Sequence, residues 1–263
     1  MPVKQILGRI DRSILGGIFT RYYESIVIKN SLRYKSEYLN YGFNVQYKKN
    51  DDSLLNILSD KHGSDKGEAL QDSNPYVWPS HNYADFYTLI FGLRRTDVKS
   101  VIECGLGTNN PAHLSSMGIN GKPGASLRMW QDYFPNANIF GCDIDSDILF
   151  SEERIKTFHC DQTSSESIST FLKKADIVAD SVDIIIDDGL HEYHAGICFF
   201  ENMIKSLHID GIYIIEDVNH SDVIKYKTYF CEKGTSFDAK FIYLKSPFRK
   251  LDGDNNLICI TKK

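Results

Sequence analysis

Two adjacent carboxylates and a histidine close the run "DIIIDDGLHEYH" (183–194), directly after three isoleucines. A buried strand has no use for acids, so Asp187, Asp188 and His191 ask for a chemical explanation at its mouth. A second run, "YIIED", ends in Glu216 and Asp217. Neighbouring parallel strands lie roughly 5 Å apart, so acids at matching ends converge. Carboxylates crowded without a cation repel and raise one another's pKa. A hard divalent ion held by oxygen relieves this, and Mg²⁺ keeps waters that an acceptor's oxygens displace. Asp188, Glu216 and Asp217 are therefore the expected metal ligands. His191, just beyond Asp188, is the expected base for a metal-bound hydroxyl. Each acid alone also suits a helix cap, and His191, His194 and His220 each suit a surface helix start.

Three further strand ends carry polar residues. "ECGLGTNN" places Gly105 and Gly107 where the backbone turns and approaches a ligand closely, with Glu103 before them. The turn fits nicotinamide, flavin and methyl-donor cofactors alike. Asn110 stands where a dinucleotide fingerprint needs its third glycine. "IFGCDID" ends in Asp143, suited to both hydroxyls of an adenosine ribose, with Asp145 as the alternative helix cap. "HCDQT" offers Asp161 and Gln162 for the amine and edge of adenine, or Asp161 as a turn residue.

The elements that must position these groups alternate. "SVIECG", "ANIFGCDID", "RIKTFHC", "VDIIIDD", "GIYIIED", "KFIYLK" and "NLICITKK" read as seven strands, the last beside the fifth and antiparallel to it. "ASLRMWQDYF", "SESISTFLKKA" and "YHAGICFFENMIKSL" read as helices between them. "DDSLLNILSD" and "NYADFYTLIFGLRR" read as two helices before the first strand. Such alternation predicts an α/β fold, a mostly parallel sheet covered by helices on both faces, with ligands outside the carboxyl ends of the strands.

The 263 residues, 42% hydrophobic, suit one substantial core, here a domain over 51–263. Residues 1–50 carry nine Lys/Arg against three Asp/Glu, a balance of +6 that leaves −11 for the rest of a chain whose net charge is −5. That total argues against a nucleic-acid binder. Within the basic extension Ile6, Ile10, Ile14, Ile18, Tyr22 and Ile26 form a helical stripe, interrupted at Gly16-Gly17. It suits packing on the body or a second subunit, with peripheral membrane contact as the other reading. Six isolated cysteines without CxxC spacing predict reduced thiols. With no signal peptide and no run of spanning length, the expected location is cytoplasmic.

In order, "HGSDKG", "GASLRMWQDYFPNANIFGCDID", "DQT", "IIIDDGLH" and "YIIED" resemble the metal-dependent S-adenosylmethionine methyltransferases of macrolide sugars, of the mycinamicin type. They are also similar to cephalosporin-hydroxylase-like proteins and to methyltransferases of surface-polysaccharide clusters. The resemblance covers roughly residues 60–220 and none of 1–50. It implies a Rossmann-like seven-stranded sheet with an N-terminal helical extension, S-adenosylmethionine and Mg²⁺ or another divalent cation as cofactors, and a sugar or nucleotide-linked precursor as acceptor. By the same resemblance Asp65, Lys66, Tyr83, Glu103, Gly105, Gly107, Ser126, Asp143, Asp161, Gln162 and Asp187 serve the donor site. Asp188, Glu216 and Asp217 hold the ion, His191 is the base, and the protein is a homo-oligomer. Leu190 stands where the family has a small residue, and the insertion 108–124 is long. The competing readings are a nicotinamide-dependent oxidoreductase and a non-catalytic member of the fold.

Overall fold

The computed structural model describes residues 52–68, 76, 78–113, 115–232, 236–245 and 253–263. The N-terminal stripe and its glycine pair lie outside the described residues.

Two helices precede the sheet. Helix α1 (Leu54–His62) starts at Ser53, whose side chain accepts from the Asn56 N–H, and ends at Gly63 in the left-handed region. Helix α2 (Tyr83–Phe91) buries Tyr83, Tyr87 and Phe91. The sheet then builds as β1 (Ser100–Cys104), β2 (Asn138–Asp143), β3 (Ile155–His159), β4 (Val182–Asp187), β5 (Leu207–Ile215), β6 (Phe237–Tyr243) and β7 (Asn256–Lys262). Between them run α3 (Ala125–Tyr133), α4 (Ser165–Lys174), α5 (Tyr193–Met203) and α6 (His220–Glu232). Strand order is β3-β2-β1-β4-β5-β7-β6. The first five strands in that order are parallel, and β7 inserts antiparallel between β5 and β6.

Three departures from the expected elements have local causes. Helix α6 went unread because polar residues interrupt its apolar positions, although Val223, Tyr226 and Phe230 are buried. Strand β5 starts at Leu207, through an Asp210-Gly211 pair that resembles a turn, with a register shift against β4 between Val182 and Ile184. Strand β6 starts at Phe237, three residues before the stretch expected for it.

Period-2 alternation splits the central strands between two cores. Val101, Ile139, Ile184, Ile186 and Ile214 pack with Leu55, Tyr87, Leu127 and Trp130 from α1, α2 and α3. Ile185 and Tyr213 occupy the alternate positions, and Tyr213 meets Phe200 of α5 edge to face. Register aligns the strand ends: Cys104 sits beside Cys142 and Asp187, and Asp187 beside Ile215. The ladder runs one residue further. Gly105 N–H donates to Cys142 O, Asp188 N–H to Cys104 O and Glu216 N–H to Asp187 O, at 2.8–2.9 Å. Gly105, Asp188 and Glu216 thus leave the sheet at one level. No helix among the described residues is long and apolar enough to cross a membrane.

Candidate active site

A cavity of about 670 Å³ opens over these ends. Asp65, Lys66, Tyr83, Gly105, Gly107, Ser126, Asp143, Asp161, Gln162, Asp188, His191, Glu216 and Asp217 all line it, so most residues singled out by type and spacing meet in one place. The 108–124 insertion contributes Thr108, His113, Met117 and Lys122.

On the β2–β3 side, short-range hydrogen bonds fix the polar groups. Asp143 accepts from the Leu106 N–H at 2.7 Å and the Asp145 N–H at 2.9 Å. Burial pushes its carboxyl pKa up against those bonds. Asp145 caps the following turn through Asp147, as its spacing suggested. Asp161 accepts from the Thr163 N–H and hydroxyl, the turn role left open in the sequence, while still lining the cavity. Gln162 donates to Asp187 at 2.8 Å and accepts from the Leu190 N–H at 2.7 Å. A side chain at Gly189 would meet the Gln162 oxygen at 2.0 Å, which explains the glycine of "DDG". Asp187 lies beneath the cavity, buried, its second oxygen without a hydrogen-bond partner among the described residues, and burial raises its pKa to about 6. Glu103 also lies beneath the floor. Its carboxylate accepts from Ser126 at 2.6 Å and from the Trp130 indole, so Ser126 is turned toward the acid rather than toward a ligand.

The β4–β5 side is built by charge. Asp188, His191 and Asp217 each bring one ligand atom within 4.8 Å of the others. The His191 ring stands between the acids, Nε2 3.1 Å from Asp188 Oδ1 and Nδ1 3.6 Å from Asp217 Oδ2. His191 (φ 58°) and Asp217 (φ 51°) both adopt left-handed backbone, which non-glycine residues adopt at a cost. Tyr83 donates to Asp217 at 2.5 Å, and His81, stacked on Tyr83 at 4.4 Å, reaches within 3.5 Å of the same carboxylate. Burial alone would favour neutral His191, but Asp217 and Asp188 outweigh it and lift its pKa to about 10.

Two expected roles are redistributed. Glu216 does not join the Asp188–His191–Asp217 group: it is 1% exposed, and its oxygens take Tyr87 and Lys66. Lys66, read as a donor contact, is 2% exposed and directs its ammonium at Asp188 (2.6 Å), Glu216 and Glu103 (3.5 Å). Burial would depress that ammonium, yet the three carboxylates hold its pKa well above a lysine's usual value. Lys66 and His191 likewise outweigh burial at Asp188, whose carboxyl stays well below the usual range. For Glu216 burial wins and its pKa is raised.

Tyr87, Trp130 and His81 were not read from sequence. Tyr83, expected at the donor site, and Tyr87 lie four apart on one helical face. The available signal was that a buried phenol needs an acceptor for its O–H.

No protein-family model matches the chain. It is 31% identical over 165 residues to an 8-demethyl-8-alpha-L-rhamnosyl tetracenomycin-C 2'-O-methyltransferase of Streptomyces olivaceus, covering 62% of this chain and 37% of that protein. It is 28% identical over 160 residues to the Mycinamicin VI 2''-O-methyltransferase of Micromonospora griseorubida, covering 59% and 37%. The MycE methyltransferase from the mycinamycin pathway, solved with Mg and SAH, superposes with a TM-score of 0.57 at 21% identity, over 82% of this chain and 55% of that one. The two chains share their fold. A second MycE complex, with Mg, SAH and Mycinamycin VI, gives 0.51 at 22% identity over the same shares. The chain spans little more than a third of the length of the curated relatives it matches.

Proposed function

We propose that this chain is an S-adenosylmethionine- and divalent-ion-dependent O-methyltransferase acting on a sugar hydroxyl of a small molecule, either a natural product or a glycan precursor. The observation that carries this reading is the shared cavity. Donor-type strand ends and the Asp188–His191–Asp217 cluster face one space, large enough for a nucleoside-sized donor and part of an acceptor. The relatives' names support it, being those of O-methyltransferases of rhamnosyl tetracenomycin C and mycinamicin VI.

In this reading Asp143 accepts from the ribose hydroxyls, Asp161 and Gln162 read the adenine, and the Gly105–Gly107 backbone admits the methionine end. Asp188 and Asp217 are the hard oxygen donors for the ion, and their spacing with His191 fits one. A divalent ion bound there would acidify and orient the acceptor hydroxyl. His191 takes the hydroxyl's proton, with Asp188 and Asp217 orienting its ring. Leu190, at the cavity wall, sets acceptor fit. The division into a basic 1–50 extension and a 51–263 catalytic domain, homo-oligomerisation and cytoplasmic residence belong to the same proposal.

Calorimetric titration with S-adenosylhomocysteine, with NADH as the control ligand, tests it. Micromolar binding of the first alone is expected. Binding of NADH in its place would make Asp143 a dinucleotide contact and remove the methyl-transfer reading.

A further inference from the structure

One carboxylate of the proposed ion site, Asp188, already holds a cation. Lys66 brings an ammonium to the oxygens of Asp188 and Glu216 that an ion at this strand end would claim. Three N–H donors meet three carboxylates, with Glu103 Oε1 the most distant at 3.5 Å. This geometry does not suit a donor-binding lysine, whose charge would have to be available to the ligand.

The base of the arm is held by backbone hydrogen bonds and its tip by ion pairs alone. Lys66 O accepts from the Ala84 N–H at 2.8 Å, Lys66 N–H donates to Ser64 Oγ at 3.3 Å, and Gly67 N–H to Ser59 Oγ at 2.9 Å. Beyond Cα the four-carbon stem, although buried, carries rotatable bonds through which a short displacement of the ammonium can be taken up. Glu103 meanwhile is held by Ser126 and Trp130, neither of which depends on Lys66. Lys66 already forms a long ion pair with Glu103, and a shift of the ammonium by about 1 Å would make it a charge-assisted hydrogen bond.

We propose that Lys66 is a positioning residue for the ion site, exchanging between two settings: bound to Asp188 and Glu216 when no divalent ion is present, and withdrawn onto Glu103 when one is. This rests on the divalent ion proposed above. The reason for exchange is electrostatic. An ammonium and a dication cannot share the same carboxylate oxygens, because at a few ångströms their repulsion in a buried site is large. An empty cluster of Glu103, Asp188 and Glu216 would repel itself, and the ammonium supplies the missing charge. The ion must therefore displace an internal competitor, which lowers its apparent affinity by the fraction of molecules in the withdrawn setting. Glu216 is a clamp for Lys66 in the first setting and is released as an ion ligand in the second. This accounts for its separation from the Asp188–His191–Asp217 group.

The test is Mn²⁺ binding by calorimetry and by electron paramagnetic resonance, with thermal melts in EDTA and in excess Mn²⁺. It uses the full chain, its Lys66→Met variant and its Glu103→Gln variant. Lys66→Met should melt lower than wild type in EDTA, recover most of that loss in Mn²⁺, and bind Mn²⁺ about tenfold more tightly. Glu103→Gln removes the withdrawn setting without touching the ion, and should weaken Mn²⁺ binding by roughly threefold or more. If Lys66→Met binds Mn²⁺ no tighter and Mn²⁺ does not repair its melt, the ammonium is a fixed part of the wall and the exchange is wrong. If Lys66→Met does not fold, Glu103→Gln decides: unchanged Mn²⁺ affinity overturns the proposal. A wild-type protein that binds S-adenosylhomocysteine but no Mn²⁺ removes the ion and the exchange together while leaving the donor site standing.

Discussion

The two sides of the cavity are held by different kinds of bond. On the β2–β3 side the polar groups take partners nearby in the chain: Asp161 from Thr163 two residues on, Gln162 with Asp187 25 residues away, and Asp143 with Leu106 37 residues away. On the β4–β5 side, apart from the His191 pairs with Asp188 and Asp217, the partners come from far upstream. Lys66 reaches Asp188 across 122 residues and Glu216 across 150, and Tyr83 reaches Asp217 across 134. The first side is set mainly by backbone N–H groups that cannot leave the sheet ends. The second is set by side-chain charge, which re-pairs when a competing cation arrives. On the proposed function, that difference makes the donor site the rigid side and the ion site the one able to rearrange.

The comparison breaks most completely where the two sides touch. Gly105 has φ 92°, and a Cβ there would lie 2.0 Å from Asp188 O and 3.1 Å from Gly189 Cα, all backbone. Nothing flexible is available to move. Gly105→Ala should therefore displace Asp188 while straining the turn below the donor. The expected result is a lower melting temperature, with S-adenosylhomocysteine and Mn²⁺ binding each weakened by roughly a hundredfold or more. Loss of one ligand with the other intact would show that the sides do not share this backbone contact.

A paired substitution sharpens the distinction. Asp188→Asn removes a charged ion ligand and one of Lys66's partners but leaves the Asp143 bonds untouched. Mn²⁺ affinity should fall about a hundredfold, with S-adenosylhomocysteine affinity within about twofold of wild type. Asp143→Asn should do the reverse, weakening S-adenosylhomocysteine by about tenfold or more, since hydrogen bonds to a charged group are each worth about 1.5–3 kcal/mol. Calorimetry on both proteins checks the crossed pattern. Equal losses of both ligands in either variant would mean that the sides are coupled through more than Gly105.

The same division governs what the sequence makes legible. Asp143, Asp161 and Gln162 stand at strand ends, and a strand end can be read from a few consecutive residues. "DIIIDDGLH" is legible because burial and charge conflict within nine positions. Lys66 is conspicuous in "HGSDKG", yet its two hydrogen-bonded partners, Asp188 and Glu216, lie more than a hundred residues downstream, so its position is readable and its contact is not. Glu216 and Asp217 share one strand end and one motif, "YIIED", but at a strand exit consecutive side chains diverge, one toward Lys66 and Tyr87, the other toward His191. Trp130 and Tyr87 were hidden because an aromatic at helical spacing reads as core, and both are indeed core while their polar atoms bind Glu103 and Glu216.

The smallest expected effect lies outside both sides, where α1 meets α3. Asp132 accepts from Lys61 at 2.6 Å and His62 at 2.8 Å, tying the last turn of α1 to the neighbouring helix. Lys61 and, after it, His62 hold the Asp132 carboxyl below its usual pKa. Its stabilising contribution is thus complete above the ordinary carboxylate pKa and is lost as pH falls through the lowered value. The pair is largely solvated, so its contribution is below about 1 kcal/mol. Asp132→Asn should lower the melting temperature at neutral pH by no more than about 3 °C. The gap should close in acid, and both ligand affinities should be unchanged. A clear loss of Mn²⁺ affinity in Asp132→Asn would mean that α1 steers the Lys66 arm. The ion site's long-range control would then begin at the helix that precedes the lysine, rather than at the lysine itself.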